Sequence, residues 1–99
     1  PSSIKNLAFI HAIGNSMSPT LNDGDILLVD SGIKTITGDC IYVLEANQRL
    51  FIKSVRQTIT GQYEIYSDNP VVKTVDVLNG DHEVRVLGRV VWVWNGKKV

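Results

Sequence analysis

Gly14-Asn15-Ser16-Met17-Ser18-Pro19-Thr20-Leu21, running on through Asn22-Asp23-Gly24-Asp25 into Ile26-Leu27-Leu28-Val29-Asp30, decides how this chain is read. A serine stands between a glycine and a proline. An acidic glycine turn follows, and then an apolar run. That order predicts a loop that presents one hydroxyl beside a turn leading directly into a buried strand.

Outward from this stretch, apolar residues recur with period two or in short runs, and β-branched residues are abundant. No segment keeps an i, i+3, i+4, i+7 pattern long enough for a good helix. Leu7 to Ile13 reads as a first strand feeding the serine loop. Ile26 to Val29, apolar at consecutive positions, reads as a strand buried on both faces. Cys40 to Leu44, Leu50 to Val55 and Gln62 to Tyr66 are expected to form an antiparallel meander, turned at Asn47-Gln48 and Thr60-Gly61. Asp68-Asn69-Pro70 ends it. Val71 to Leu78 is extended but interrupted by charge. Asn79-Gly80 is a hairpin signal, with Asp81-His82 lengthening the loop, and Glu83 to Trp94 is the longest strand, with Gly88 expected at a bulge or kink. The expected fold class is mostly β: one small, strongly bent antiparallel sheet, partly closed as a barrel, over residues 1–99 as a single domain.

Composition narrows the function classes. Ten basic and ten acidic side chains cancel over 99 residues, which makes the chain a poor candidate for gripping nucleic acid by itself. No apolar stretch approaches the roughly 20 residues of a membrane-spanning helix. The single cysteine, Cys40, cannot form an internal disulfide, which fits a reducing, cytoplasmic setting. His11, His82 and Cys40 lack metal-ligand spacing, so neither metal nor cofactor is expected. The chain opens at Pro1-Ser2-Ser3 with no initiator methionine, as a piece of a longer protein would.

The chemistry suggested by the residues is a serine–lysine pair. A serine hydroxyl is a weak nucleophile until a base removes its proton, and neither histidine has a matching acid in a recognisable pattern. A neutral amine can serve instead. An ordinary lysine side chain titrates near about 10.4, so on the order of one in a few thousand is free amine at pH 7. Burial away from counter-charges lowers that value, and a fall of about three pH units corresponds to roughly 4 kcal/mol. Lys53 lies inside the apolar strand Arg49-Leu50-Phe51-Ile52-Lys53-Ser54-Val55-Arg56, where alternation puts it on one face with Phe51 and Val55. Ser16 is therefore the candidate nucleophile and Lys53 the candidate base, with the backbone N–H groups of Ser16 and Met17 as candidate oxyanion donors. Against this stand plainer roles. A loop serine is most often a cap, a strand lysine usually snorkels to water, and Asp23-Gly24-Asp25 reads as a turn rather than an acid–base pair.

The combination is more specific than its parts. Gly14 to Thr20 with Asp23-Gly24-Asp25 resembles the serine box of the LexA-type self-cleaving repressors, which include phage repressors and UmuD-like proteins. Phe51-Ile52-Lys53-Ser54-Val55 resembles their lysine box. Tyr66-Ser67-Asp68-Asn69-Pro70 is similar to their polar turn, and Val86-Leu87-Gly88-Arg89-Val90-Val91 to their closing strand. The resemblance implies a dimerising peptidase domain in which Ser16 attacks and Lys53 acts as base. It implies cleavage of the protein's own linker when an activated RecA filament favours it, as in the SOS response. It also implies operator binding through an N-terminal helix-turn-helix domain. Neither that domain nor an Ala-Gly or Cys-Gly bond of the kind the family cuts occurs in these residues.

Two rival readings stay open. Bacterial signal peptidases share similar serine and lysine boxes, but they carry a membrane anchor and a late glycine-, aspartate- and serine-rich box, where this chain has Ser67-Asp68-Asn69-Pro70. A non-cleaving repressor dimerisation module is the other, motivated by the aromatic strand Val90 to Trp94 with Trp92 and Trp94.

Overall fold

The computed structural model describes residues 6–78 and 84–95. They form seven strands in chain order: β1 (Leu7–His11), β2 (Ile26–Asp30), β3 (Cys40–Ala46), β4 (Arg49–Gln57), β5 (Tyr63–Tyr66), β6 (Val75–Leu78) and β7 (Arg85–Trp94). All belong to one antiparallel sheet in the order β1-β2-β7-β3-β4-β5-β6. The mostly-β class is as expected, and β3-β4-β5 is the expected meander, extended by β6. Asn47 and Gln48 make its first turn with positive φ at both residues, 53° and 63°, the backbone that matches strand twist in a two-residue hairpin.

The sheet is not closed, since β1 and β6 remain its edges. It is nevertheless curled. In a flat sheet β1 and β4 would lie four strand spacings apart, about 19 Å, yet the end of β1 and the start of β4 line the same cavity.

Because β3, β4 and β7 lie mid-sheet, the core has two parts on opposite faces. On one face Ala12, Met17, Leu21, Leu27, Val29 and Val43 are buried together. Tyr42, Leu44, Val55 and Ile65 are buried on the other. The alternation Tyr42/Val43/Leu44 feeds both, which is why β3 reads as a continuous apolar run.

Several boundaries and one pairing differ from the sequence reading. β1 stops at His11: Ala12 N–H still donates to Asp25 O at 2.8 Å, the next rung of the same register, but Asp25 N–H turns to Asn22 O and it is Gly24 N–H that donates back to Ala12 O at 2.9 Å, which ends the ladder. β2 is not buried on both faces. Leu27 and Val29 are buried, but Ile26 and Leu28 are only half-covered. In residues 71–78 only Val75–Leu78 is strand. The Asn79-Gly80 turn lies outside the described residues, but a β6–β7 hairpin is excluded, because β7 pairs with β2 and β3 while β6 pairs with β5. Inserting the last strand mid-sheet allows it to join the two halves. Its register shifts on both sides of Gly88, opposite Leu28/Val29 and opposite Val43/Leu44, as the glycine suggested.

Candidate functional site

The serine loop is held from both ends. Gly14 and Gly24 take φ of +83° and +89°, a backbone region that favours glycine. Gly14 N–H donates to Asp23 Oδ1 at 2.8 Å, and Asn22 N–H donates to Asp25 Oδ2 at 2.8 Å. The Asp23-Gly24-Asp25 segment is therefore the clasp of the loop, as its turn reading implied. Met17 and Leu21 anchor the loop in the core, leaving Ser16 half-buried at its rim. Among the described residues, neither the Ser16 hydroxyl nor the N–H groups of Ser16 and Met17 have a hydrogen-bond partner.

Lys53 reaches the same place from β4. Ser16 and Lys53 both line a cavity of about 540 Å³, walled by Ile10, Met17, Leu21, Val43 and Ile52 among others. No hydrogen bond joins the two side chains. Instead the Lys53 amine donates to Ser67 Oγ at 2.6 Å, and among the described residues no carboxylate forms an ion pair with it.

Ser67 opens the turn that follows β5, and this turn holds more of the site than the sequence reading gave it. Asn69 N–H donates to Ser16 O at 3.0 Å, and Asn69 Nδ2 donates to Asn15 O at 2.8 Å. Asp68 N–H points at Met17 Sδ at 3.4 Å, while Asp68 Oδ1 accepts the hydroxyl of buried Ser54 at 2.6 Å. One polar turn thus ties the serine loop to the lysine strand. A signal for it existed. Continuing the β4–β5 register, in which Ser54 faces Tyr66, sets Ser67 opposite Lys53. The turn type at Thr60-Gly61 decides that register, and a sequence alone leaves it open.

The arrangement is a hydroxyl and an amine on one cavity, with unoccupied backbone donors beside the hydroxyl. It suits acyl transfer. Residues 2–91 match the Peptidase S24-like family. The chain belongs to that family. It is also 33% identical over 90 residues to a protein of Haemophilus influenzae described as an uncharacterized HTH-type transcriptional regulator. The alignment covers 89% of this chain and 37% of that protein, so this S24-like chain spans little more than a third of the relative's length. The LexA-type resemblance of the serine and lysine boxes agrees with both matches. Among the described residues of this S24-like domain no helix is long and apolar enough to cross a membrane.

Proposed function

We propose that this S24-like chain is the self-cleaving, dimerising domain of a LexA-like transcriptional repressor, a serine endopeptidase acting mainly on its own upstream linker. The observation that carries the reading is the shared cavity of Ser16 and Lys53, with the amine held by Ser67 and free of any described counter-charge. In this mechanism the neutral Lys53 amine takes the proton of Ser16 as Oγ attacks the scissile carbonyl. The Ser16 and Met17 N–H groups stabilise the resulting oxyanion. The tetrahedral intermediate expels the amine half of the peptide bond, which leaves with the proton returned by the Lys53 ammonium. Water, deprotonated by the same amine, then releases the acyl group and restores Ser16. No cofactor takes part.

The test is incubation of the full-length parent at neutral and alkaline pH without partners, with fragments read by mass spectrometry. Cleavage should accelerate with pH, because the free amine is the reactive form, and the spectrum identifies the bond. A parent that stays intact under alkaline conditions, and also with an activated RecA filament, would overturn self-cleavage.

In the proposed mechanism Ser67 is a positioning residue. Its oxygen accepts one amine hydrogen, which leaves the nitrogen lone pair available to Ser16. Ser67→Ala should slow cleavage by roughly ten-fold, the worth of one hydrogen bond to a charged group. Ser67→Thr, which keeps the oxygen, should restore most of the rate. Equal rates for all three proteins would remove Ser67 from the mechanism.

The dimer in this reading is supported by an aromatic patch away from the cavity. Phe9 and Trp94 rings lie 5.6 Å apart and Trp92 and Trp94 6.2 Å apart, all three exposed. Exposed aromatic clusters of this kind mark interaction surfaces. The same patch favours the second reading, a dimerisation module without cleavage. Operator binding and response to RecA belong to the proposal through the parent protein. Sedimentation equilibrium at micromolar concentration should report a dimer, and a monomer there would remove that part of the proposal.

A further inference from the structure

Lys53 borders two cavities, and its amine is bonded into the one that lacks Ser16. That cavity, of about 390 Å³, is lined by Ser67, whose Oγ accepts the amine hydrogen at 2.6 Å. Ser67 does not line the Ser16 cavity. Register explains the polar end of the 390 Å³ cavity. Ser54 faces Tyr66, and Tyr66 faces Val75, so one step along the same ladders Lys53, Ser67 and Thr74 form a row on one face. All of them line the cavity. Among the described residues the Thr74 hydroxyl makes no hydrogen bond, and the Lys53 amine makes no ion pair. A lysine ammonium has three N–H donors, and Ser67 takes one of them.

Beyond this row the cavity is largely apolar. Leu44, Phe51, Ile65, Leu78 and Val84 line it from the Tyr42 cluster. An apolar body is thus joined to a cationic, hydroxyl-bearing end, and the volume lies within the roughly 300–1,000 Å³ of small-ligand pockets. Among the described residues Asp76 is the one carboxylate on the lining. It faces Ile65 on the β5–β6 ladder, so it borders the apolar body and disfavours a second negative charge there. Tyr66 is the other titratable group on this lining, and His11 and Arg49 join Lys53 on the Ser16 cavity.

We infer that this cavity binds a small aliphatic monocarboxylate, and that its occupation restrains Lys53. The tail fills the apolar body, while the carboxylate accepts hydrogen bonds from the Lys53 ammonium and the Thr74 hydroxyl. A carboxylate suits that end better than a neutral head group, because the amine has no ion-pair partner among the described residues and charge-assisted bonds are about twice as strong as neutral ones. Asp76 selects against a dianionic head such as phosphate. Binding stands on the cavity alone, whereas its effect on cleavage rests on the self-cleavage reading. A neighbouring anion favours the charged form of an amine, and only the free amine takes the proton of Ser16. The ligand is therefore a brake on cleavage near neutral pH, and alkaline conditions relieve it.

The probe is octanoate, added below its micelle-forming concentration to the chain with isotopically labelled methyl groups. Octanol and octylammonium are the tail-matched controls. The expected result is a saturable shift of the Leu44, Ile65 and Val72 methyl signals, which line this cavity, with Ile10 and Leu21 of the Ser16 cavity unmoved. Octanol and octylammonium should bind about ten-fold or more weakly, the worth of a hydrogen bond to a charged group, and Lys53→Met should remove the preference for octanoate. Val72→Trp fills the cavity from a half-buried position outside both core clusters. It should abolish binding and leave the thermal midpoint nearly unchanged. In the full-length parent, saturating octanoate should slow cleavage about ten-fold or more at neutral pH and progressively less as pH rises. The Val72→Trp parent should cleave at the ordinary rate with or without octanoate. Equal binding of octanol, shifts centred on Ile10 and Leu21, undiminished binding by folded Val72→Trp, or no saturable shift would each overturn the site. Full-speed cleavage by a parent with the cavity filled would sink the brake alone. A parent that never cleaves would sink the peptidase reading and the brake with it, while the binding result decides the site.

Discussion

Lys53→Arg in the full-length parent is expected to abolish self-cleavage as completely as Lys53→Ala, at neutral and at alkaline pH alike. The two substitutions separate the roles a half-buried lysine could play. Arginine keeps the positive charge and most of the reach, so it would preserve a lysine whose task is to attract an oxyanion. It cannot lose its proton under protein conditions and so cannot accept one from Ser16. In the proposed mechanism the base acts twice, first on the serine and then on water, and its removal slows cleavage by about 10² to 10⁴-fold. Ser16→Ala removes the nucleophile, and the single and double variants should be equally inactive, because members of one catalytic unit do not contribute additively. Measuring fragment formation over days at alkaline pH would decide the matter. Substantial rescue by arginine would mean that Lys53 acts by charge and that the base lies elsewhere.

The surroundings of Lys53 explain why the lysine strand could be read from sequence and its partner could not. Strand alternation alone put Lys53 with Phe51 and Val55, and the structure keeps those two with the Tyr42 cluster. The loop around Ser16 was equally legible, because Gly14, Asp23 and Gly24 are local signals with local partners. Ser67 and Asn69 were read only as the end of a meander. Their partners Lys53, Ser16 and Asn15 lie 14 or more positions away, and nothing local ties a turn serine to a distant amine. The same limit explains the misread hairpin after β6. Asn79-Gly80 is a sound local turn signal, but whether β7 returns to β6 or inserts between β2 and β3 depends on where its apolar faces find cover. Val90 and Val93 find it in the Leu27 cluster and Val86 in the Tyr42 cluster, at opposite faces of the sheet.

That insertion makes Gly88 the most constrained position on β7. Gly88→Ala is expected to destabilise the domain by about 1–3 kcal/mol, the cost of forcing a methyl into filled space. An added Cβ would stand 2.6 Å from Val29 Cγ1 and 2.9 Å from Asp30 O. The valine methyl can rotate or shift, but the Asp30 carbonyl belongs to the β2–β7 ladder and cannot move without opening it. For a domain of this size each kcal/mol moves the thermal midpoint by about 4–8 °C. Gly88→Val adds two more carbons at the same point and should prevent a cooperative transition altogether. Cleavage would fall with stability, since β2 carries the serine loop and β3 carries β4, and β7 is the strand between them. A double variant decides whether sterics are the cause. Val29→Ala removes the nearer of the two clashing groups, so combined with Gly88→Ala it should cost measurably less than the sum of the single changes, by about 0.5 kcal/mol or more. Strict additivity in thermal and urea unfolding would show that the methyl finds room, and would place the strain of Gly88 variants in the register shifts on either side of it.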